Sequence, residues 1–264
     1  MKTLGRVLLA SALALLPASN ALAAKVKGKV VNTQDLLNPV WNEAKEPGAH
    51  RYTFREPSPS VPPDVRILRG HLPKELCIVA LADKGDAPKQ PIRIKIEGGR
   101  TSFVTLVVAP GQEIKFENHD PTQHAIYEVS GKGGLPEGTM APDGTRTWTP
   151  PGPGKYELRD KLAPSLRSWV VVDPGVVKAS FPNRAGDFTM ELAPGNYTLQ
   201  AFFSGEKVGE ALPVEVKPAP EEQPLKDPLK AGADKKKDDD KKDDKDKDKK
   251  DEKNGDKKDA KAGG

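Results

Sequence analysis

Thiols are almost absent from this chain: Cys77 is its one cysteine among 264 residues, and a lone thiol cannot form an intramolecular disulfide in an oxidising compartment. It sits in the apolar run Leu76–Leu81, of strand length, and reads as a buried core thiol rather than a reactive one or an intermolecular bridge. Long hydrophobic runs are missing too. The stretch Val7–Leu16 is shorter than the roughly 20 residues that span a bilayer, and no later stretch qualifies, so no transmembrane span is expected. Excess charge of one sign is absent from the part that folds. The formal net charge is +4, but Lys2 and Arg6 belong to a leader, and from Lys226 onward 15 lysines stand against 13 acidic residues. That balance excludes a nucleic-acid footprint despite a pI near 8.9. Catalytic signatures are also lacking. There is no Gly-x-Ser-x-Gly elbow, and Gly131–Gly134 lacks the Gly-Lys-Ser/Thr ending of a phosphate loop. His71-Leu-Pro-Lys-Glu75 carries Pro73 inside its spacing and cannot give the two-histidine helical face of a zinc protease. With no role-bearing pair in place, the chain reads as non-enzymatic.

What is present begins with Met1, Lys2 and Arg6, the apolar run, Pro17, and small residues at Ala21 and Ala23. This is the pattern of a secretory signal peptide over 1–23, and it places the mature protein in a periplasm or beyond. No cysteine follows the cleavage position, which argues against a lipid anchor. Gly (24) and Pro (26) punctuate short β-branched runs, the composition of an all-β protein. Lys25–Val31 alternates basic and apolar residues and is expected to be an edge-type strand. Residues 24–70 continue into a loop with Trp41, Tyr52 and Phe54, closed by Pro57, Pro59, Pro62 and Pro63. Strands are then expected at 76–81, 92–96, 103–108, 113–118, 125–129, 146–149, 154–159 and 168–172. Pro110-Gly111 is suited to a type II turn, and Gly131–Gly134 to a mobile loop. After Asp173-Pro174-Gly175 a second set follows at 176–181, 187–192, 197–203 and 212–216. Four strands make a thin sandwich, which the strand at 25–31 could complete, with the middle domain as an insertion. From Pro218 the composition shifts to Pro-rich and then to interspersed Lys and Asp with no large hydrophobe. Little there can offset the entropy of ordering, so 218–264 is expected to be a disordered, nearly neutral tail.

The central stretch then carries a resemblance. Val107-Val108-Ala109-Pro110-Gly111 leads to Phe116-x-Asn118-x-Asp120-x-x-x-His124, followed by Gly154-Lys-Tyr156 and Trp169–Val172. This resembles periplasmic cupredoxin-like (plastocyanin-like, methylamine-utilisation-like) proteins. Gly186-x-Phe188-x-Met190-x-Leu192-x-Pro194-Gly195-x-Tyr197 is similar to a transthyretin-type, carboxypeptidase-regulatory-like sandwich. The resemblance implies two β-sandwich domains, a cupredoxin-like Greek key over 71–173 and a regulatory-like sandwich over 174–217. It also implies that His124 is the first copper histidine. The remaining ligands, a Cys-x-x-His-x-x-Met pattern, fall on Asp160, Ala163 and Leu166.

Those replacements carry the functional expectation. Type 1 copper needs a thiolate and two imidazoles with a weak axial thioether; Asp160 is a hard oxygen donor and Ala163 offers nothing. The reading is a secreted, non-catalytic binding or structural module of the cell envelope with an envelope protein or polysaccharide as partner and no cofactor. One alternative is a redox-inert Cu or Zn site built from His124 with Asp160 and His119. Another is a carbohydrate-binding module that stacks sugars on an exposed Trp148 and Tyr127. Trp169, at the head of an apolar strand, reads as core.

Overall fold

The computed structural model describes residues 23–39, 70–85 and 90–232. The expected signal peptide, Trp41, Tyr52, Phe54, the proline cluster and the charged segment from 233 onward lie outside the described residues. In chain order, β1 (Ala24–Val31) and the one-turn helix α1 (Leu72–Glu75) precede β2 (Leu76–Leu81). There follow β3 (Ile92–Glu97), β4 (Arg100–Thr101), β5 (Thr105–Val108), β6 (Ile114–Asn118), β7 (His124–Glu128), β8 (Gly138–Met140), β9 (Thr145–Trp148), β10 (Gly154–Asp160) and β11 (Arg167–Val172). The last strands are β12 (Val176–Ser180), β13 (Asp187–Leu192), β14 (Gly195–Phe203), β15 (Glu206–Val216), β16 (Glu222–Pro224) and β17 (Leu229–Lys230). The all-β expectation holds.

In the first sandwich, the sheet β5-β11-β10-β7-β8 faces the sheet β4-β3-β6-β9. Two of its pairs, β3 with β6 and β5 with β11, are parallel. Parallel neighbours cannot be joined by a tight hairpin, so the chain crosses to the opposite sheet between them. Alternation does the sorting: in β6, Ile114 and Phe116 point inward while Lys115 and Glu117 point out. Ile94, Ile96, Ile126, Leu158 and Leu166 complete a core with Trp148 and Tyr156. Each such aliphatic side chain stabilises the fold by about 1.5–3 kcal/mol. The turn at Pro110-Gly111 forms as its chemistry dictates, with Gly111 at φ 76° and the Gln112 amide donating to the Ala109 carbonyl.

The second sandwich sets β13-β1-β16, with β17 also on β1, against β12-β2-β14-β15. Phe188, Met190 and Leu192 of β13 meet Val26 and Val30 of β1 and Leu76, Ile78 and Ala80 of β2 in its core. The strand expected at the edge is therefore internal, flanked by β13 on one side and by β16 and β17 on the other. Its lysines still face outward, and Lys27 meets Glu222 at 2.7 Å. Gly28 is required where it stands, because a Cβ there would lie 2.5 Å from the Phe188 ring.

Two boundaries differ from expectation. Strand β2, expected in the first domain, pairs with β12 and β14 of the second sandwich. Its unbroken apolar run is explained by burial on both faces. Leu76, Ile78 and Ala80 enter the second core, while Cys77 and Val79 pack with Val107, Ala109, Val176 and Phe202 in a layer joining the sandwiches. The expected disordered tail also begins too early. Residues 218–232 form a strap along β1, with Leu229 and Ala231 fully buried and the Leu225 amide bonded to the Lys27 carbonyl. Leu225, Leu229 and Ala231, together with backbone bonds to β1, hold it on the open sheet edge.

Candidate functional site

At one end of the first sandwich three loops converge: the β3–β4 turn at 98–99, the β6–β7 loop at 119–123 and the β10–β11 loop at 161–166. His124 opens β7 there, 1% exposed. Its Nδ1 lies 2.7 Å from Asp160 Oδ2 and its Nε2 lies 3.0 Å from Asp120 Oδ2. Asp160 ends β10, where its side chain is fully buried. Its other oxygen, Oδ1, accepts the amides of Leu162 at 2.7 Å, Ala163 at 2.9 Å and Ala125 at 3.2 Å. Asp120 accepts the Gly98 amide on Oδ1 at 2.6 Å and the Gly99 amide on Oδ2 at 2.7 Å. The two carboxylates thus clamp one imidazole and, through it, all three loops.

Asn118 shapes the approach to this network. Its Oδ1 accepts the Asp120 amide, and its Nδ2 donates toward the carbonyls of Thr122, Met140 and Ala141. The Asn118-x-Asp120-x-x-x-His124 spacing therefore has a local function: Asn118 folds the loop, Asp120 fastens it to the neighbouring turn, and His124 fastens it to β10. Burial by itself would raise the Asp120 carboxyl, but the amides of Gly99 and Gly98 and the ring of His124 outweigh it and hold it below the usual aspartate range.

Of the expected site residues, His124 and Asp160 are brought together. His119 is not. Its Nε2 faces Glu117 at 3.8 Å on the outer side of β6, with the ring about half exposed. Ala163 contributes only its amide. Leu166 fills the core. Sequence reasoning missed Asp120 as a partner although it stands inside the quoted motif; only the fold shows that its carboxylate turns back onto the histidine four residues on.

The residues present do not fit a type 1 copper ion. Both nitrogens of the one imidazole buried among the described residues are engaged by carboxylates, and the sole thiol lies in the layer between the sandwiches. Among the described residues no three His, Cys, Asp or Glu side chains are grouped to hold an ion.

The proposed sugar platform is overturned. Trp148 is 5% exposed, donates from Nε1 to the Gly133 carbonyl at 2.7 Å and stands edge-on to Tyr156. An indole with its N–H satisfied inside a core cannot present a stacking face. The glycine loop it supports lies at the opposite end of β7 from His124 and is built around Glu128. The Glu128 carboxylate accepts the amides of Ser130 and Gly133, each at 2.8 Å, and the Ser130 hydroxyl. These bonds outweigh burial and hold Glu128 below the usual range. The His71–Glu75 spacing is structural as well: Glu75 accepts the His71 amide at 2.7 Å and the Asn38 side-chain amide at 3.2 Å. A groove of about 380 Å³ between β15 and the strap, walled by Leu212, Pro220, Gln223 and Leu225, includes no member of the His124 network.

No protein-family model matches the chain, and no curated protein sequence matches it. Among solved structures it is similar to a reduced amicyanin variant at 19% identity and a TM-score of 0.30, over 36% of this chain and 98% of that one. An oxidised amicyanin variant gives 20% and 0.30 over the same shares. A purple cupredoxin from Nitrosopumilus maritimus gives 18% and 0.28, over 31% of this chain and 99% of that one.

Proposed function

We propose that this protein is an exported, non-catalytic module of the cell envelope, a cupredoxin-like sandwich without a type 1 copper centre coupled to a carboxypeptidase-regulatory-like sandwich. It serves by binding or by structural support. The observation that carries the reading is the 2.7 Å contact between His124 Nδ1 and Asp160 Oδ2: the position at which the resemblance would place a thiolate ligand holds a carboxylate bonded to the histidine itself. With Trp148 in the core, an envelope protein is favoured over a polysaccharide as partner.

Copper loading followed by visible spectroscopy and voltammetry tests the absence of electron transfer. The expected result is no thiolate-to-copper absorption band and no reversible redox wave. The rival reading is a Cu or Zn site on His124, suggested by the two carboxylates that flank the ring. Elemental analysis of mildly purified wild type and His124→Ala separates the two. Stoichiometric metal in the wild type alone would replace our reading with the rival. Pull-down from envelope extracts and a glycan array then identify the partner class.

A further inference from the structure

His124 faces a carboxylate with each ring nitrogen. A neutral imidazole carries a proton on one nitrogen and a charged one on both, whereas an ionised carboxylate only accepts. Asp120 receives an amide hydrogen on each of its oxygens, from Gly98 and Gly99, and hydrogen bonds donated to a carboxylate favour its ionised form, so Asp120 stands opposite Nε2 as an acceptor. The bond at Nε2 is then donated by the ring. That leaves Nδ1 opposite Asp160 Oδ2 across 2.7 Å, with both side chains closed off from solvent. Were neither atom protonated, two lone pairs would face each other in a buried gap, an arrangement that costs both their solvation and their repulsion. One proton must lie between them. On the ring it makes an imidazolium between two carboxylates; on the acid it makes a neutral pair beside Asp120. Either way the three side chains carry a single negative charge.

We infer that this proton, shared between His124 and Asp160, stands in for a metal ion as the cross-link of the sandwich end, so that the loops at 98–99, 119–123 and 161–166 are locked together without any ion. The inference deepens the copper-free reading and rests on it. Both ring lone pairs are committed, one to the Nε2–H and one to the shared proton, so an ion could enter only by displacing Asp120 with the two amides it holds or Asp160 with its three. Sulfur and a second imidazole are thereby dispensable, which is why Ala163 and Leu166 are tolerated at the remaining positions. The same arrangement gives the buried carboxylates a reason to persist. Each is saturated by amides from a different loop, and the imidazole is the one group that reaches both.

Long-range nitrogen–proton spectra of the labelled full chain at neutral pH, in the presence of chelator, test the proposal, with His124→Gln identifying the His124 signals. The expected pattern is a protonated Nε2 and an Nδ1 shifted away from the position of a bare acceptor nitrogen. Ring protons exchanging at least tenfold more slowly than those of His119 are also expected. Addition of one equivalent of Zn²⁺ or Cu²⁺ should leave these signals unmoved. An Nδ1 at the bare-acceptor position with no metal response overturns this inference and leaves the copper-free reading standing. His124 signals that move or broaden in proportion to added metal overturn both. Should His124→Gln not fold, backbone-linked assignment of wild type supplies the same spectra.

Discussion

Asp160 holds His124 with one carboxylate oxygen and three backbone amides with the other. Removing that carboxylate exposes a buried imidazole and three buried N–H groups to the same loss. Asp160→Ala is expected to destabilise the protein by about 3–5 kcal/mol, the range for breaking a buried pair. Asp160→Asn, which keeps one acceptor, should lose less. Urea unfolding measures both, and a loss below about 1 kcal/mol for the alanine variant would show that the clamp is not structural.

Acid should unfold the protein through its depressed carboxyls. Asp120, Glu128 and Glu157 all sit below their usual range. For Glu157, burial alone would raise it, and the bonds from Arg159 and Arg167 outweigh that. Each binds its proton more weakly folded than unfolded, so their contribution is complete above about pH 4.5 and is lost as pH falls through and below about 4. Circular dichroism against pH should show the decline starting there, and Asp120→Asn should flatten it. A transition centred near pH 6 would contradict the assignment.

Cys77 should be chemically silent. Burial pushes its thiol up to about 12, against the lowering effect of a bond with the Val107 backbone. The thiolate is the reactive form. A thiol-reactive chromophore is expected to label the native protein at a rate set by unfolding and the denatured protein at once. Immediate stoichiometric labelling of the native chain would mean that the layer between the sandwiches opens.

Trp148→Phe tests the core assignment. The change removes the bond to the Gly133 carbonyl and part of the packing on Tyr156, with an expected loss of roughly 1–3 kcal/mol. A surface stacking residue would tolerate the same change within about 0.5 kcal/mol.

Ending the chain after Lys217 should open the second sandwich. Leu225 would be lost from its margin, and Leu229 and Ala231 from its core. Leu229 alone stands for about 1.5–3 kcal/mol. The truncated protein is expected to unfold at lower urea, whereas ending it after Gly232 should leave the midpoint unchanged.

Thirteen strands were legible in the chain because period-two alternation and Gly or Pro turns are local signals, and they came through within a residue or two for elements such as β2, β6 and β13. The strands β4, β8, β16 and β17 were not, since two or three residues carry no periodicity. For the site, the Asn118–His124 motif was readable in the chain, and the placing of Asp160 where a thiolate would stand came from the resemblance to cupredoxin-like proteins. The pairing of Asp160 with His124 needed the antiparallel register of β10 on β7, which sets Asp160 opposite Ile126, and the return of Asp120 needed the folded loop.

Local chemistry was thus enough to establish an all-β chain whose one thiol, Cys77, stands outside the Asn118–His124 motif, because those facts concern which residues exist and in what order. Long-range pairing alone could say that β1 is internal, that β2 belongs to the second sandwich, and that two carboxylates 40 residues apart close on one imidazole. Contacts between distant segments depend on register and burial over the whole fold, and no window of the chain contains them.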